Sequence, residues 1–382
     1  MVRDFDIIVH GATGFTGRLV AEYLVGAGAE RWAMSGRSAE KLAHVAAEIG
    51  ADVPLIVADA DEPATLAAMA ARTQVVLTTV GPYQLYGGSL VAACVAAGTA
   101  YADLCGEPVW MRHMIDAHEA EAKRTGARIV FSCGFDSIPF DLGVQALQER
   151  ARERFGMPAP RVKGRVRAMK GGFSGGTAAS LKATLAAAAR DPSQVKLLTS
   201  PFALTPGFTG ASQPTGMVPE YDSAIGAWVA PFIMAPINTK NVHRTNFLLG
   251  QTYGADFVYD EMVVVPGLGE MGRMAAEALA KVNPLSGDKG PKPGEGPSRE
   301  ERESGHYDLL FAGIMPDGTR VDQVVTGDRD PGYGSTSKMI AETARLLAET
   351  EGEGGIWTPG ALLGARLRER LVDRAGLRFT AG

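Results

Sequence analysis

The stretch that decides the fold is FDIIVHGATGFTG, residues 5–17. Its apolar first half predicts a buried strand, and residues 15–27 predict the helix that follows. Three glycines stand between strand and helix at intervals of three residues, a spacing that permits a tight turn, the approach of the backbone to a pyrophosphate and close helix packing. The stretch therefore predicts a dinucleotide site at the start of the first helix. The residues expected to contact the dinucleotide here are Gly11, Thr13, Gly14, Phe15, Thr16 and Gly17.

The same strand–helix unit repeats along the first third of the chain. Further buried strands are predicted at residues 32–35, 54–58, 75–80, 101–104 and 128–133, with a helix in each interval. Buried strands that alternate with helices pair in parallel through right-handed crossovers. We therefore predict an α/β fold built on a doubly wound, parallel Rossmann-type sheet.

After residue 133 the pattern changes to that of a second, α+β substrate domain. Strands are predicted at residues 161–169 and 252–265, followed by a hairpin within 307–325 that turns at Pro316-Asp317-Gly318. Residues 284–305 are rich in proline, glycine and charge, which predicts a mobile loop. Helices at 337–349 and 359–375 predict a return to the first domain. We expect a discontinuous dinucleotide-binding domain of residues 1–133 plus 334–382, and a substrate or dimerisation domain of residues 134–333.

The residues that follow the second strand favour NADP(H) over NAD(H). NAD-binding sheets place an acidic residue at this position to bind the ribose hydroxyls, whereas this chain has Arg37, followed by Ser38 and Lys41. A guanidinium with neighbouring donors suits the 2′-phosphate of NADP(H). By position, Asp59 is expected at the adenine edge, and Gly81 and Pro82 beside the nicotinamide ribose.

The catalytic residues are less clearly indicated. No tyrosine is followed four residues later by lysine, so the acid pair of short-chain dehydrogenases is absent. Tyr83 and Tyr86 are the candidate proton donors, because they follow the strand at the cofactor edge. The glycine-rich residues Ser174, Gly175, Gly176 and Thr177 form a candidate substrate loop. The same loop matches the G-x-S-x-G motif of hydrolases, with Asp256 or Asp260 and His306 downstream, but a hydrolase leaves the first glycine turn unexplained.

Charge and cysteine content exclude several classes of protein. The 382 residues carry a net charge of −5, which gives the whole molecule no attraction to nucleic acid. The three cysteines form no C-x-x-C pair, and no metal site is expected. The start of the chain lacks a signal-peptide pattern, so we expect a cytoplasmic protein. The apolar stretch at residues 224–237 has fourteen residues and two prolines, too short to span a bilayer, and forms either core or a peripheral membrane contact.

Four cations recur at every second residue of one predicted strand: Arg161, Lys163, Arg165 and Arg167. Alternation places them on one face, where they could dock an acidic acyl-carrier domain or lipid headgroups. A solvated face neutralised by neighbouring acids explains the pattern equally well.

Several motifs together resemble the saccharopine dehydrogenase-like oxidoreductases: GATGFTG (11–17), TTVGPY (78–83), YADLCGE (101–107) and CGFDSIPFDLG (133–143). The stretches GGFSGGTAAS (171–180), INTKNVHRTN (237–246) and PGEGPS (293–298) resemble the actinobacterial branch of trans-acting enoyl reductases, which serve polyketide synthases. The resemblance implies NADPH as hydride donor and an enoyl thioester as substrate, with an acyl-carrier or polyketide synthase partner. The alternatives are a saccharopine-type imine reductase and a non-catalytic, membrane-associated NADPH-binding protein. A homodimer is a further expectation.

Overall fold

The computed structural model describes residues 3–171, 180, 183, 184, 186, 190, 191, 193–282 and 295–382. Two seven-stranded sheets organise this part of the chain. The first sheet is entirely parallel and follows the order β13-β6-β5-β4-β1-β2-β3. Its strands are β1 (Phe5–His10), β2 (Trp32–Gly36), β3 (Leu55–Val57), β4 (Thr73–Thr78), β5 (Ala100–Ala102), β6 (Arg128–Val130) and β13 (Gly355–Trp357). The predicted doubly wound α/β sheet is confirmed.

Helices cover both faces of this sheet, which explains its continuous apolar strands. In β1, Ile7 and Val9 join one buried cluster, whereas Ile8 points to the other face and joins a second cluster. The helices of this part are α1 (Phe15–Gly26), α2 (Ala39–Ile49), α3 (Pro63–Ala70), α4 (Tyr83–Tyr86), α5 (Gly88–Ala97), α6 (Pro108–Thr125) and α7 (Ile138–Phe155).

The second sheet is mixed and follows the order β14-β12-β11-β7-β10-β9-β8. Its strands are β7 (Arg161–Lys170), β8 (Glu220–Asp222), β9 (Ala227–Pro231), β10 (Val258–Val264), β11 (His306–Ile314), β12 (Arg320–Gly327) and β14 (Leu377–Ala381). Only the β7 and β10 pair is parallel. The hairpin of β11 and β12 turns where predicted, with Gly318 at a φ of +84°.

The described part of the chain contains seven more α-helices. They are α8 (Ser193–Thr199), α9 (Ala235–Leu248), α10 (Gly269–Ala280), α11 (Arg299–Ser304), α12 (Thr336–Glu349), α13 (Pro359–Leu362) and α14 (Gly364–Arg374). A π-helical turn (Pro331–Ser335) leads into α12, which packs on α1 and on the first sheet.

Two expectations need correction. The end of the chain was expected to be helical, but β13 extends the first sheet beside β6 and β14 extends the second sheet beside β12. The mobile loop expected at 284–305 contains α11, because Ser298 and Glu301 form a capping box that starts a helix. Residues 284–294 of that loop lie outside the described residues. The proposed domain boundaries remain a prediction.

The apolar stretch at residues 224–237 contributes four buried residues to the core, and its other residues are partly buried or exposed. It forms β9 and the start of α9, and Val229, Ala230, Phe232 and Ile237 are buried. In the described part of the chain, we find no helix with the length and apolar character needed to cross a bilayer.

The cations of β7 are paired within the protein. Arg165 is fully buried and contacts Asp222 at 2.7 Å and Asp260 at 2.8 Å. Lys163 contacts Asp222 at 2.8 Å, and Arg161 contacts Asp260. Arg167 contacts Asp308 at 2.7 Å at a more exposed position. This face is therefore neutralised by neighbouring acids, the second of the two explanations given for its charge pattern.

Candidate functional site

The glycine turn lies at the carboxyl edge of the first sheet, where open α/β sheets bind their ligands. Gly11 has a φ of +88°, and its N–H donates to the carbonyl oxygen of Ser35 over 2.9 Å. A Cβ at Gly17 would overlap the Gly11 carbonyl oxygen, and one at Gly11 would lie 2.7 Å from Val80. Glycine is therefore required at both positions, and the turn keeps the start of α1 accessible, as a pyrophosphate site requires.

The ends of four neighbouring strands converge on this turn. Thr79, just after β4, donates its N–H to the His10 carbonyl oxygen over 3.1 Å. Thr13 lies next to Gly36, since a Cβ added at Gly36 would be 3.6 Å from the Thr13 hydroxyl. Asp59, after β3, is close enough to His10 to raise the pKa of that side chain slightly. Burial outweighs this effect and lowers the pKa of His10 to about 4, so its ring is neutral. His10 is structural and contacts Ser35 at 3.1 Å.

Arg37 is exposed at the end of β2, and no ion pair joins it to a carboxylate of the described residues. The Ser38 hydroxyl caps α2 by accepting the Lys41 N–H over 3.3 Å, which places Arg37, Ser38 and Lys41 on one short turn. An exposed guanidinium beside two further donors is what a 2′-phosphate requires. The residues around the glycine turn thus fit NADP(H), whose pyrophosphate is expected at the start of α1 and whose 2′-phosphate is expected at Arg37.

The loop after β4 carries Gly81, Pro82 and both candidate tyrosines. Glu107 organises this loop, because its carboxylate accepts the N–H groups of Tyr83 and Gln84 over 2.9 and 2.8 Å. The Tyr83 ring is buried and packs 5.7 Å from Trp110. Its hydroxyl accepts the Leu104 N–H over 3.1 Å and donates to the Thr78 carbonyl oxygen over 3.4 Å. Burial raises the pKa of Tyr83 well above its ordinary value.

These contacts disfavour Tyr83 as a proton donor, because its hydroxyl points into the core and joins two backbone segments. Tyr86 ends α4 and is 41% exposed. The catalytic assignments of both tyrosines remain predictions. Sequence position alone placed both tyrosines after β4, where the structure has them, but could not give the direction of either side chain.

Asp103, directly after β5, connects the loop that follows β5 to the residues that follow β6. Its carboxylate accepts the N–H groups of Cys105 and Ser132 over 3.0 and 2.9 Å, and the Tyr101 hydroxyl over 3.0 Å. Burial raises the pKa of Asp103 to about 7, although these hydrogen bonds oppose the shift. All of its contacts are internal, so Asp103 positions the edge of the sheet.

Asp136 is the residue that the sequence interpretation missed. It lies in the loop between β6 and α7, half-buried, and makes no hydrogen bond or ion pair with any described residue. Burial raises the pKa of Asp136 to about 6. A carboxyl group that is protonated in mildly acidic solution, and that no described residue binds, can deliver a proton to a ligand. The sequence could have indicated Asp136 by its position directly after a predicted strand, where α/β sheets bind their ligands.

The second half of the chain approaches the same edge. The Gln84 amide donates to the Thr184 hydroxyl over 3.4 Å, and a Cβ at Gly81 would lie 3.7 Å from the Ser180 hydroxyl. Ser174, Gly175, Gly176 and Thr177, the candidate substrate loop, lie outside the described residues. Asp260, a candidate in the hydrolase alternative, is bound to Arg161 and Arg165 in the second sheet.

Comparisons with known proteins agree with this geometry. The family model of the saccharopine dehydrogenase NADP binding domain matches residues 7–130. A Mycobacterium tuberculosis protein is 43% identical over 97% of this chain and 96% of its own length. Proteins of Mycobacterium bovis and Mycobacterium leprae, both named trans-acting enoyl reductase, are 38% and 37% identical over the same shares. Saccharopine dehydrogenase (L-Glu forming) from Saccharomyces cerevisiae shares the fold, with a TM-score of 0.56, 10% identity, and 99% of this chain and 100% of that chain covered.

Proposed function

The chain belongs to the trans-acting enoyl reductase family, within the NADP-dependent, saccharopine dehydrogenase-like oxidoreductases, and on this premise we propose that it reduces the carbon–carbon double bond of an enoyl thioester. The predicted cofactor, NADP(H), and the predicted enzyme class are confirmed by the family match. We further propose that the thioester is attached to the carrier domain of a polyketide synthase, because the word trans-acting in the relatives' names describes action on a substrate held by another protein.

The observation that carries the proposal is the placement of Asp136 at the edge that holds the glycine turn and Arg37. Two hydrogen bonds join these loops: the Leu104 N–H donates to the Tyr83 hydroxyl over 3.1 Å, and the Cys133 N–H donates to the Asp103 carbonyl oxygen over 2.7 Å. The loop that carries Asp136 is therefore fixed relative to the loop at Gly81 and Pro82. In our proposal, this edge provides both a nucleotide site and a proton donor, the two components that double-bond reduction requires.

Bound NADPH supplies a hydride for the β-carbon of the enoyl group. The thioester oxygen then gains negative charge, and the α-carbon must take up a proton. In our proposal the Asp136 carboxyl group donates that proton, and Tyr83 is a positioning residue for the loop. We also propose that the amide groups of Gly175, Gly176 and Thr177 bind the thioester oxygen as it gains negative charge. The proximity of Ser180 to Gly81 and the hydrogen bond between Gln84 and Thr184 support this proposal.

A panel of substrates tests this function against the imine reductase alternative. Purified enzyme is mixed with NADPH and either a small enoyl thioester or a keto acid with an amine, and absorbance of the reduced nicotinamide is followed. We expect oxidation of NADPH with the enoyl thioester only. Oxidation with the keto acid and amine only would assign imine reduction. NADPH binding without oxidation by any member of the panel would favour a non-catalytic nucleotide-binding protein.

A further inference from the structure

A basic cleft of about 550 Å³ runs along the outer side of α1, away from the glycine turn at the start of that helix. Its walls are α1, α11, the π-helical turn with the start of α12, and the end of α14. The cations that line this basic cleft are Arg299, Arg302, Arg329, Lys338 and Arg374, and the acids that line it are Glu22 and Glu303. Five positive charges against two stand out in a chain whose net charge is −5.

Three of the five cations form no ion pair with a described residue. Arg299 contacts Glu303 at 2.8 Å, and Arg329 approaches Asp328 at 3.8 Å. Among the residues that the structure describes, no ion pair joins Arg302, Lys338 or Arg374 to a carboxylate. Cations that form no ion pair with a described carboxylate can pair with the acidic side chains of another protein.

The basic cleft is connected to the nucleotide site through Phe15. The Arg302 guanidinium lies 5.7 Å from the centre of the Phe15 ring and donates to the Pro297 carbonyl oxygen over 2.7 Å. Phe15 also packs edge-on against Tyr333, with ring centres 5.2 Å apart. Because Phe15 directly follows Gly14 in the glycine turn, Arg302 links the wall of the basic cleft to the start of α1.

We propose that the basic cleft docks an acidic acyl-carrier domain that presents the enoyl thioester. This inference rests on the proposed function and identifies the partner of the same site. Its basis is charge complementarity. The basic cleft is open to solvent, as contact with the surface of a protein domain requires. The β7 cations are bound to aspartates and are a poorer docking surface.

The test compares a double variant, Arg329→Glu with Arg374→Glu, with a control of equal charge change, Arg124→Glu with Arg154→Glu, which lies outside the basic cleft. Binding of a fluorescently labelled, non-acylated carrier domain is measured by anisotropy at low and high salt. We expect the cleft variant to weaken carrier binding by roughly tenfold or more, and salt to weaken binding to the parent. The control should bind the carrier as the parent does.

Activity provides the second measurement. The cleft variant should raise the KM for a carrier-bound enoyl thioester and leave kcat/KM for a small thioester and the affinity for NADPH unchanged. Equal losses with both substrates, no carrier binding to the parent at low salt, or equal effects of both double variants would overturn the docking proposal. Tight binding of inorganic pyrophosphate that depends on Arg329 and Arg374 would do the same, since it identifies a small-anion site. If no thioester is reduced, the proposed function fails, while anisotropy still decides docking.

Discussion

The β7 face of the second sheet and the carboxyl edge of the first sheet use charged side chains in opposite ways. On β7, Arg165 is buried between Asp222 and Asp260, and each neighbouring cation also has an aspartate partner. At the first sheet, Arg37 and Asp136 make no ion pair with the described residues. A charged group whose partner is internal stabilises the fold, whereas one without a partner remains available to a ligand.

The comparison shows why charge patterns in a sequence mislead. The cations of β7 occur at every second residue, which looks like a docking surface. Their partners Asp222, Asp260 and Asp308 lie on β8, β10 and β11, far along the chain, and only the fold brings them together. The basic cleft, by contrast, combines two cations of α11 with single cations from three other segments that are far apart in the sequence.

The largest expected effect is on the unpaired carboxyl group. Asp136→Asn keeps the size of the side chain but removes its acidic proton, so kcat should fall by roughly 10² to 10⁴. The free energy of unfolding should not fall, and above about pH 6 it should rise, because burial disfavours the charged carboxylate that Asn replaces. Since Asp136 donates only when protonated, kcat of the parent should fall as pH rises above about 6, and the variant should lack this dependence. Steady-state kinetics across pH with a small thioester checks both points.

Replacement of a paired carboxylate should lower the stability of the protein and leave kcat unchanged. Asp222→Ala leaves the buried Arg165 guanidinium without one of its two partners and removes the partner of Lys163. A broken buried ion pair typically costs about 3–5 kcal/mol of unfolding free energy. Denaturant titration measures the loss, and kcat of the folded fraction should be close to that of the parent. An unchanged free energy of unfolding in Asp222→Ala would contradict the claim that the paired charges of the β7 face have a structural role.

Arg37→Ala should weaken NADPH binding and leave stability unchanged. Loss of a charge-assisted contact with the 2′-phosphate typically costs about 1.5–3 kcal/mol, or roughly ten- to a hundredfold in affinity. NADH lacks that phosphate, so its affinity should not change. Fluorescence titrations with both nucleotides measure the ratio. A parent enzyme that binds them equally would contradict the role of Arg37.

The smallest effect is expected at the exposed end of the β7 face. Asp308→Ala removes the partner of Arg167, whose side chain is 40% exposed. Exposed ion pairs contribute about 0.2–1 kcal/mol, so the variant should unfold within that margin of the parent. Denaturant titrations of Asp308→Ala and Asp222→Ala compare the two losses of unfolding free energy. An equal loss in both variants would show that burial does not determine how much these ion pairs contribute to stability.

The sequence predicted the features that depend on local pattern. Strand β1 begins and ends where its apolar run predicted, and the glycines at 11, 14 and 17 form the expected turn. Strand β13 has three residues, and its place in the first sheet depends on pairing with β6, which is distant in the chain. The direction of Tyr83 depends on the contacts of its hydroxyl with Thr78 and Leu104 and could not be read from spacing. The capping box at Ser298 and Glu301 was visible as a motif and was missed.

The most direct test of the central claim uses NADPH deuterated at C4, on the face from which the hydride is transferred, with a small enoyl thioester and the parent enzyme. Mass spectrometry and NMR of the saturated product locate the label. Our account predicts one deuterium at the β-carbon and a hydrogen from solvent at the α-carbon, since an exchangeable carboxyl group supplies it. Absence of deuterium from the thioester, with uptake into an amine formed from a keto acid, would contradict the account.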